Sequence, residues 1–252
     1  MNRRQCLRLA AAASLPGAGA FAWPDTLSAV ISGDGLWRLT ADLPSRQLLL
    51  QDAQSNTVRS HALPAPSELA QGAVLHTPLL LQTHVKRQSF VIAFGACSEL
   101  WEISYNPQAD DIFDGLVHDY RNHEGLARPG FLGLVRILLA EPLDDLLIDT
   151  ESAHVLGRAR WHQADVQVVN LDIRRVRARI RLPLANRLGL ARFSACSKGR
   201  LLRVPTAAQA PDDLEICINT VDWQPMPCPD LATAQNVTCF SPQSFDAANL
   251  LF

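Results

Sequence analysis

Residues 86–104 read "KRQSFVIAFGACSELWEIS", and the parsing of this stretch decides the fold. Lys86-Arg87-Gln88 is a polar turn, and Phe90–Phe94 is a short apolar run rich in aromatic and branched side chains. Gly95–Ser98 breaks that run, and Leu100, Trp101 and Ile103 carry a second one. Apolar runs of this length between turn residues are strands, because a buried helix needs ten or more residues. The stretch is therefore two short strands joined by a turn.

The same arrangement recurs along the chain. "SGDGLWRLTAD" from Ser32, "ESAHVLGRARW" from Glu151 and "SKGRLLRVPTA" from Ser197 each place a turn before an apolar strand. The following strands are "RQLLLQDAQSNTVRSHALP" from Arg46, "ELWEISYNPQADDI" from Glu99, "VQVVNLDIRRVRARIRLP" from Val166 and "LEICINTVDWQPMP" from Leu214. Asp52, Ser104, Asp172 and Thr220 are equivalent points, 52, 68 and 48 residues apart. A unit of about 45–50 residues holding several strands is the sequence form of a propeller blade. The expected fold is all-β: an incomplete β-propeller of four to five blades, each a four-stranded antiparallel sheet. "FSPQSFDAANLLF" from Phe240 would begin a fifth blade.

The longer interval holds an extra piece of about 20 residues, which includes Ile112–Arg128, "IFDGLVHDYRNHEGLAR". It is expected to be an insertion between strands of neighbouring blades. Insertions on repeat scaffolds gather on one face and tend to carry function. His118 and His123 lie within it, but no third and fourth ligand stand nearby at a metal-site spacing. The local chemistry leaves a turn capped by Asp119, with Tyr120 packed beneath, as the plainer reading.

The first 22 residues, "MNRRQCLRLAAAASLPGAGAFA", run from Arg3, Arg4 and Arg8 through an alanine-rich segment to Ala20-Phe21-Ala22. That order is an export signal with a small-residue cleavage site, and the arginine pair resembles a twin-arginine leader. The expected division is a leader at 1–22 and one propeller domain at 23–252, in the periplasm. Without the leader, 20 Lys and Arg face 25 Asp and Glu, a formal charge of 20 − 25 = −5. Nucleic-acid binding needs a basic face that this balance does not supply. No later apolar stretch is long enough to span a bilayer as a helix.

Five cysteines follow the leader: Cys97, Cys196, Cys217, Cys228 and Cys239. An oxidising compartment permits disulfides, and an odd number leaves one thiol over. No CxxC or CxxCH occurs, so covalent c-type haem and a paired-CxxC zinc site have no support. Most of the cysteines are expected to be small buried apolar residues.

Several phrases resemble the d1-haem propeller family, which includes the d1 domain of cytochrome cd1 nitrite reductase. They are "RQSFVIAFGACSELWEISYNPQADDIFDGLVHDYR", "EGLARPGFLGLVR", "EPLDDLLID", "HVLGRAR" and "QVVNLDIRR", in family order across residues 86–182. A weaker likeness covers roughly 27–225, closest to the d1-type propeller proteins of haem d1 biogenesis. The resemblance implies an eight-bladed ring with haem d1 in its central channel. It also implies a role in periplasmic nitrite reduction or in haem d1 maturation.

By the same resemblance, the cofactor-binding candidates are His118, Tyr120, Arg121, Arg160 and Arg187. His118, Tyr120 and Arg121 match the family's "VHDYR", and Arg160 falls in its "HVLG..R" position. Arginine forks suit the carboxylates of haem d1. Two departures weigh against nitrite reduction. Arg187 stands where the family places a histidine after "LP", and Ser244 lies near the place of a second. The blades that supply the family's axial histidine would lie before Thr26. The implied function is a carrier, scaffold or maturation factor linked to haem d1 and a denitrification protein. The alternative is a haem-free fragment that serves as an interaction module, with two half-rings closing as a homodimer.

Other polar groups have plainer readings. "DIRRVRARIRLP" is a half-buried strand with one basic face. Arg158 and Arg192 would end strands, and Glu141, Asp144, Asp145 and Asp149 would form a turn leading into one. No serine–histidine–acid constellation and no phosphate-cradling glycine loop emerges.

Overall fold

Each repeat unit folds as one antiparallel meander. The computed structural model describes residues 29–65, 79–113, 127–182, 188–196, 199–205 and 215–228. The leader at 1–22 and the segment from Phe240 lie outside them. Blade 1 holds β1 (Ala29–Ile31), β2 (Trp37–Asp42), β3 (Gln47–Asp52) and β4 (Thr57–Ala62). Blade 2 holds β5 (Leu79–His84), β6 (Ser89–Phe94), β7 (Glu99–Ser104) and β8 (Leu134–Leu138). Blade 3 holds β9 (Leu143–Ile148), β10 (His154–Ala159), β11 (Asp165–Asn170) and β12 (Arg175–Arg181). Blade 4 holds β13 (Arg192–Cys196), β14 (Gly199–Pro205), β15 (Glu215–Asn219) and β16 (Pro225–Met226).

Strand order in every sheet follows the chain. The first strands of successive blades lie side by side, β1 against β5 and β5 against β9. They form the inner edge of a fan, and β4, β8 and β12 form its outer edge. Residues 86–104 supply the two middle strands of blade 2. Among the described residues there is no α-helix, and none long and apolar enough to cross a membrane.

Three apolar layers hold the blades face to face. Leu39, Leu48 and Leu50 of blade 1 pack against Phe90, Ile92, Phe94, Trp101 and Ile103 of blade 2. The opposite face of blade 2, with Val91, Ala93 and Leu100, meets Leu143, Leu146 and Val155 of blade 3. Leu156, Val166 and Val168 then meet Leu202, Val204 and Ile218 of blade 4. Alternate residues of β6 thus serve two different cores, as the two-residue period of a strand requires. Each large side chain so buried contributes about 1.5–3 kcal/mol relative to exposure.

The structure corrects the placement of the insertion. β8 pairs with β7 from Glu99↔Leu138 to Ile103↔Leu134, so the extra residues interrupt blade 2 between its third and fourth strands. They do not separate neighbouring blades. The fourth strand of this blade starts 134 − 104 = 30 residues after the third ends, against 57 − 52 = 5 in blade 1 and 175 − 170 = 5 in blade 3. Cys217 and Cys228 form a disulfide that ties β15 to the chain beyond β16, and Cys239 lies outside the described residues. Cys97 is buried in the layer between blades 1 and 2.

Candidate functional site

The meander sorts connections onto two rims. The β5–β6 turn, the β7–β8 insertion, the β9–β10 turn and the β11–β12 turn share one rim, here called upper. The β6–β7 and β10–β11 turns and the links between blades occupy the lower rim.

On the upper rim the insertion leaves and returns through a narrow stem. Ile112 and Arg128 exchange two backbone hydrogen bonds, Ile112 N–H to Arg128 O at 2.8 Å and Arg128 N–H to Ile112 O at 2.9 Å. Gly130 makes this closure feasible, because a Cβ there would lie 1.9 Å from the Asp110 carbonyl oxygen. His118, Tyr120 and Arg121, like His123, belong to residues 114–126 and lie outside the described residues. Arg187 lies outside them too.

A cavity of about 260 Å³ opens at the root of this stem, between the outer half of blade 2 and the β11–β12 turn of blade 3. Its walls include Glu102, Asp110, Ile112 and Val135 from blade 2, and Arg174 from blade 3. Glu102 is 6 % exposed, because it points from β7 into the layer between the blades. Arg87 compensates that buried charge, its Nε 2.5 Å from Glu102 Oε1, and pairs also with Asp172 across the blade boundary. Burial opposes the charge on Arg87, but the two carboxylates outweigh it and raise its pKa. The pair was not singled out in the sequence, because Arg87 resembles one more turn residue.

Arg160 occupies the lower rim. Its Nη1 donates to the Gly95 carbonyl oxygen at 2.7 Å, and its backbone N–H donates to Pro142 O at 2.9 Å. The side chain therefore fastens blade 3 to the β6–β7 turn of blade 2. Strands of six residues separate the rims by roughly 20 Å. The described ends of the insertion and Arg160 are thus at opposite ends of the blades.

Beside Arg160 lies a second group of charges. β9 is bulged, with Ala159 opposite Leu143 and Arg158 opposite Asp145, so Asp144 is the extra residue. Asp144 Oδ1 is buried without a hydrogen bond. Burial raises the Asp144 pKa, the Asp145 charge adds to the rise, and Arg158 and Arg160 oppose it. Arg158 is itself buried and donates to Gln163 O. Glu141 holds the next turn, accepting from Trp161 N–H at 3.1 Å and His162 N–H at 3.2 Å, with His162 Nδ1 3.1 Å away. Three of the four acids of "EPLDDLLID", Glu141, Asp145 and Asp149, thus do separate structural work. Asp145 accepts from Leu188 N–H at 2.7 Å, and Asp149 pairs with Arg200 at 2.5 Å. Arg192 is a solvated strand end paired with Glu215.

The described histidines are equally engaged. His84 is buried and its Nε2 donates to Ser152 O at 2.7 Å, which fixes the proton on that nitrogen. His61 Nε2 lies 3.0 Å from Leu132 O, and His154 contacts Ser152, Asn170 and the Trp223 ring. Among the described residues no three metal-ligating side chains gather.

No protein-family model and no curated protein matches the chain. Solved structures do. A dihydro-haem d1 dehydrogenase, NirN in complex with DHE, superposes with a TM-score of 0.51 at 24 % identity. The match covers 78 % of this chain and 36 % of the dehydrogenase, so the chain spans about a third of that protein's length. Apo AztD from Citrobacter koseri overlaps more loosely, with a TM-score of 0.41, 10 % identity, and 78 % and 44 % of the two chains covered. Together with the four meanders, the first likeness establishes the fold as successive blades of a β-propeller of the kind seen in the haem d1 dehydrogenase.

Proposed function

We propose that the chain is an exported, periplasmic propeller protein that carries haem d1 or assists its maturation, rather than an active nitrite reductase. The observation that carries this reading is the propeller likeness to a dihydro-haem d1 dehydrogenase, together with the family phrases in the sequence. The Cys217–Cys228 disulfide supports an oxidising compartment. Its partners in this reading are the tetrapyrrole and a denitrification protein.

Of the five residues implied to hold the cofactor, Arg160 alone is described. Its guanidinium is a planar fork of the kind that suits a haem carboxylate, and its Nη1 donates to the Gly95 carbonyl oxygen. His118, Tyr120, Arg121 and Arg187 would complete the set. Bound haem d1 would supply the redox chemistry, and the chain's own groups would orient its carboxylates.

The test is an absorbance titration of the mature protein with haem d1, alongside Arg160→Ala and His118→Ala. Saturable one-to-one binding, weakened about tenfold or more by Arg160→Ala, is expected for a lost charge-assisted contact. No spectral change at excess haem d1 would sink the reading. The second reading, a haem-free interaction module, is favoured by Arg160 already tying two blades together. It would then take over, with a homodimer checked by light scattering.

A further inference from the structure

The upper-rim cavity points to a ligand unrelated to tetrapyrroles. We propose that it binds a small zwitterionic α-amino acid, with the carboxylate held by Arg174 and the ammonium by Asp110.

The charges at the cavity divide into a set paired within the protein and a set exposed to solvent without a protein partner. Glu102, Arg87 and Asp172 form a closed network, two acids sharing one guanidinium across the blade boundary. Among the described residues, the Arg174 and Asp110 side chains make no hydrogen bond or ion pair, yet both line the cavity. They come from different blades: Arg174 from the β11–β12 turn, Asp110 from the stem of the insertion. A simple anion would gain Arg174 but meet Asp110, and a simple cation would meet the reverse. A ligand that carries both signs can pair with the two together.

Size and rigidity support the same class. A volume of about 260 Å³ is below the roughly 300–1,000 Å³ of pockets for drug-sized ligands. Ile112 and Val135 leave an apolar wall for a short side chain. The paired hydrogen bonds of Ile112 with Arg128 and the close approach at Gly130 fix the wall that bears Asp110 before any ligand arrives. Such preorganisation lowers the entropy cost of binding.

Amide-detected NMR titration of the whole mature chain tests this with three probes: L-alanine, acetate and methylammonium. L-Alanine should shift the amides of 104–112 and 172–174 saturably, and bind at least about tenfold tighter than either half-ligand. Arg174→Gln and Asp110→Asn should each weaken L-alanine by about tenfold, and Asp110→Asn should strengthen acetate. Both positions are exposed, so the shifts of the blade 3–4 core should stay in place and report an intact fold. Acetate binding as tightly as L-alanine would overturn the zwitterion assignment. Absence of saturable shifts with L-alanine, or unchanged affinity in both variants, would overturn the site itself.

Discussion

Blades 1 and 2 are the same meander, yet their second strands live in different environments. β2 alternates, with Leu39 and Ala41 buried and Arg38 exposed, whereas every residue of β6 is buried. The difference arises beyond the strand. Blade 2 is clasped between two neighbours, while the described residues cover blade 1 on one face only. A strand covered on both faces loses the alternation that marks a half-buried one.

The largest effects should come from exchanging equivalent positions of these two strands. Phe90 and Arg38 both stand second in their strands. Phe90→Ala should cost about 3–5 kcal/mol through lost burial and a cavity, whereas Arg38→Ala should stay within about 0.5 kcal/mol. Urea midpoints would measure both. A large cost at Arg38 would break the comparison, because it would mean the second face of blade 1 is covered as well.

A smaller contrast concerns close approach between elements. A Cβ on Gly157 would meet Leu143 Cδ1 at 2.2 Å, and one on Gly33 would meet Val85 Cγ1 at 2.6 Å. Leu143 is wholly buried, but Val85 is 52 % exposed and can yield. Gly157→Ala should therefore cost about 1–3 kcal/mol and Gly33→Ala under about 1 kcal/mol. Equal midpoint losses in urea would show that exposure of the neighbour does not set the cost.

The smallest effect is one of sign. In blade 1 Asp52 has a lowered pKa, chiefly from the Asn56 side-chain hydrogen bond. In blade 3 the half-buried Asp144 has a raised one, chiefly from burial. Folded Asp144 therefore holds its proton more tightly than the unfolded chain does. Its contribution is fully present below the ordinary carboxylate value of 3.8 and is lost as pH rises through the raised folded value. Asp52 works oppositely: its contribution is present above 3.8 and lost as pH falls through its lowered value. In thermal melts from pH 3 to 8, Asp144→Asn should gain stability relative to the parent as pH rises, and Asp52→Asn should lose it. The same trend in both variants would refute the burial argument.

Much of the scaffold was legible in the residues. Turn chemistry at Ser32–Gly35 and Lys86–Gln88, followed by short apolar runs, located the second and third strands of all four blades. The plain readings of Arg192 as a solvated strand end and of Glu141 as a turn residue agree with their surroundings. The fourth strand of blade 2 was missed because the insertion displaces it. The first strands were indistinct because β1 is three residues long and β9 has two aspartates after its first residue.

The sequence by itself determined the repeat, the strand-forming runs and the existence of an extra piece near residue 112. These depend on neighbours within a few residues, where side-chain period and turn preference act. Tertiary structure alone decided that Arg160 is spent partly on Gly95, 65 residues away, and that Arg87 neutralises Glu102 while reaching Asp172 in the next blade. It also decided that Cys217 pairs with Cys228 and that Arg174 and Asp110 share one cavity. Such contacts form between surfaces brought together by blade stacking, and stacking follows from total apolar burial rather than from any local pattern.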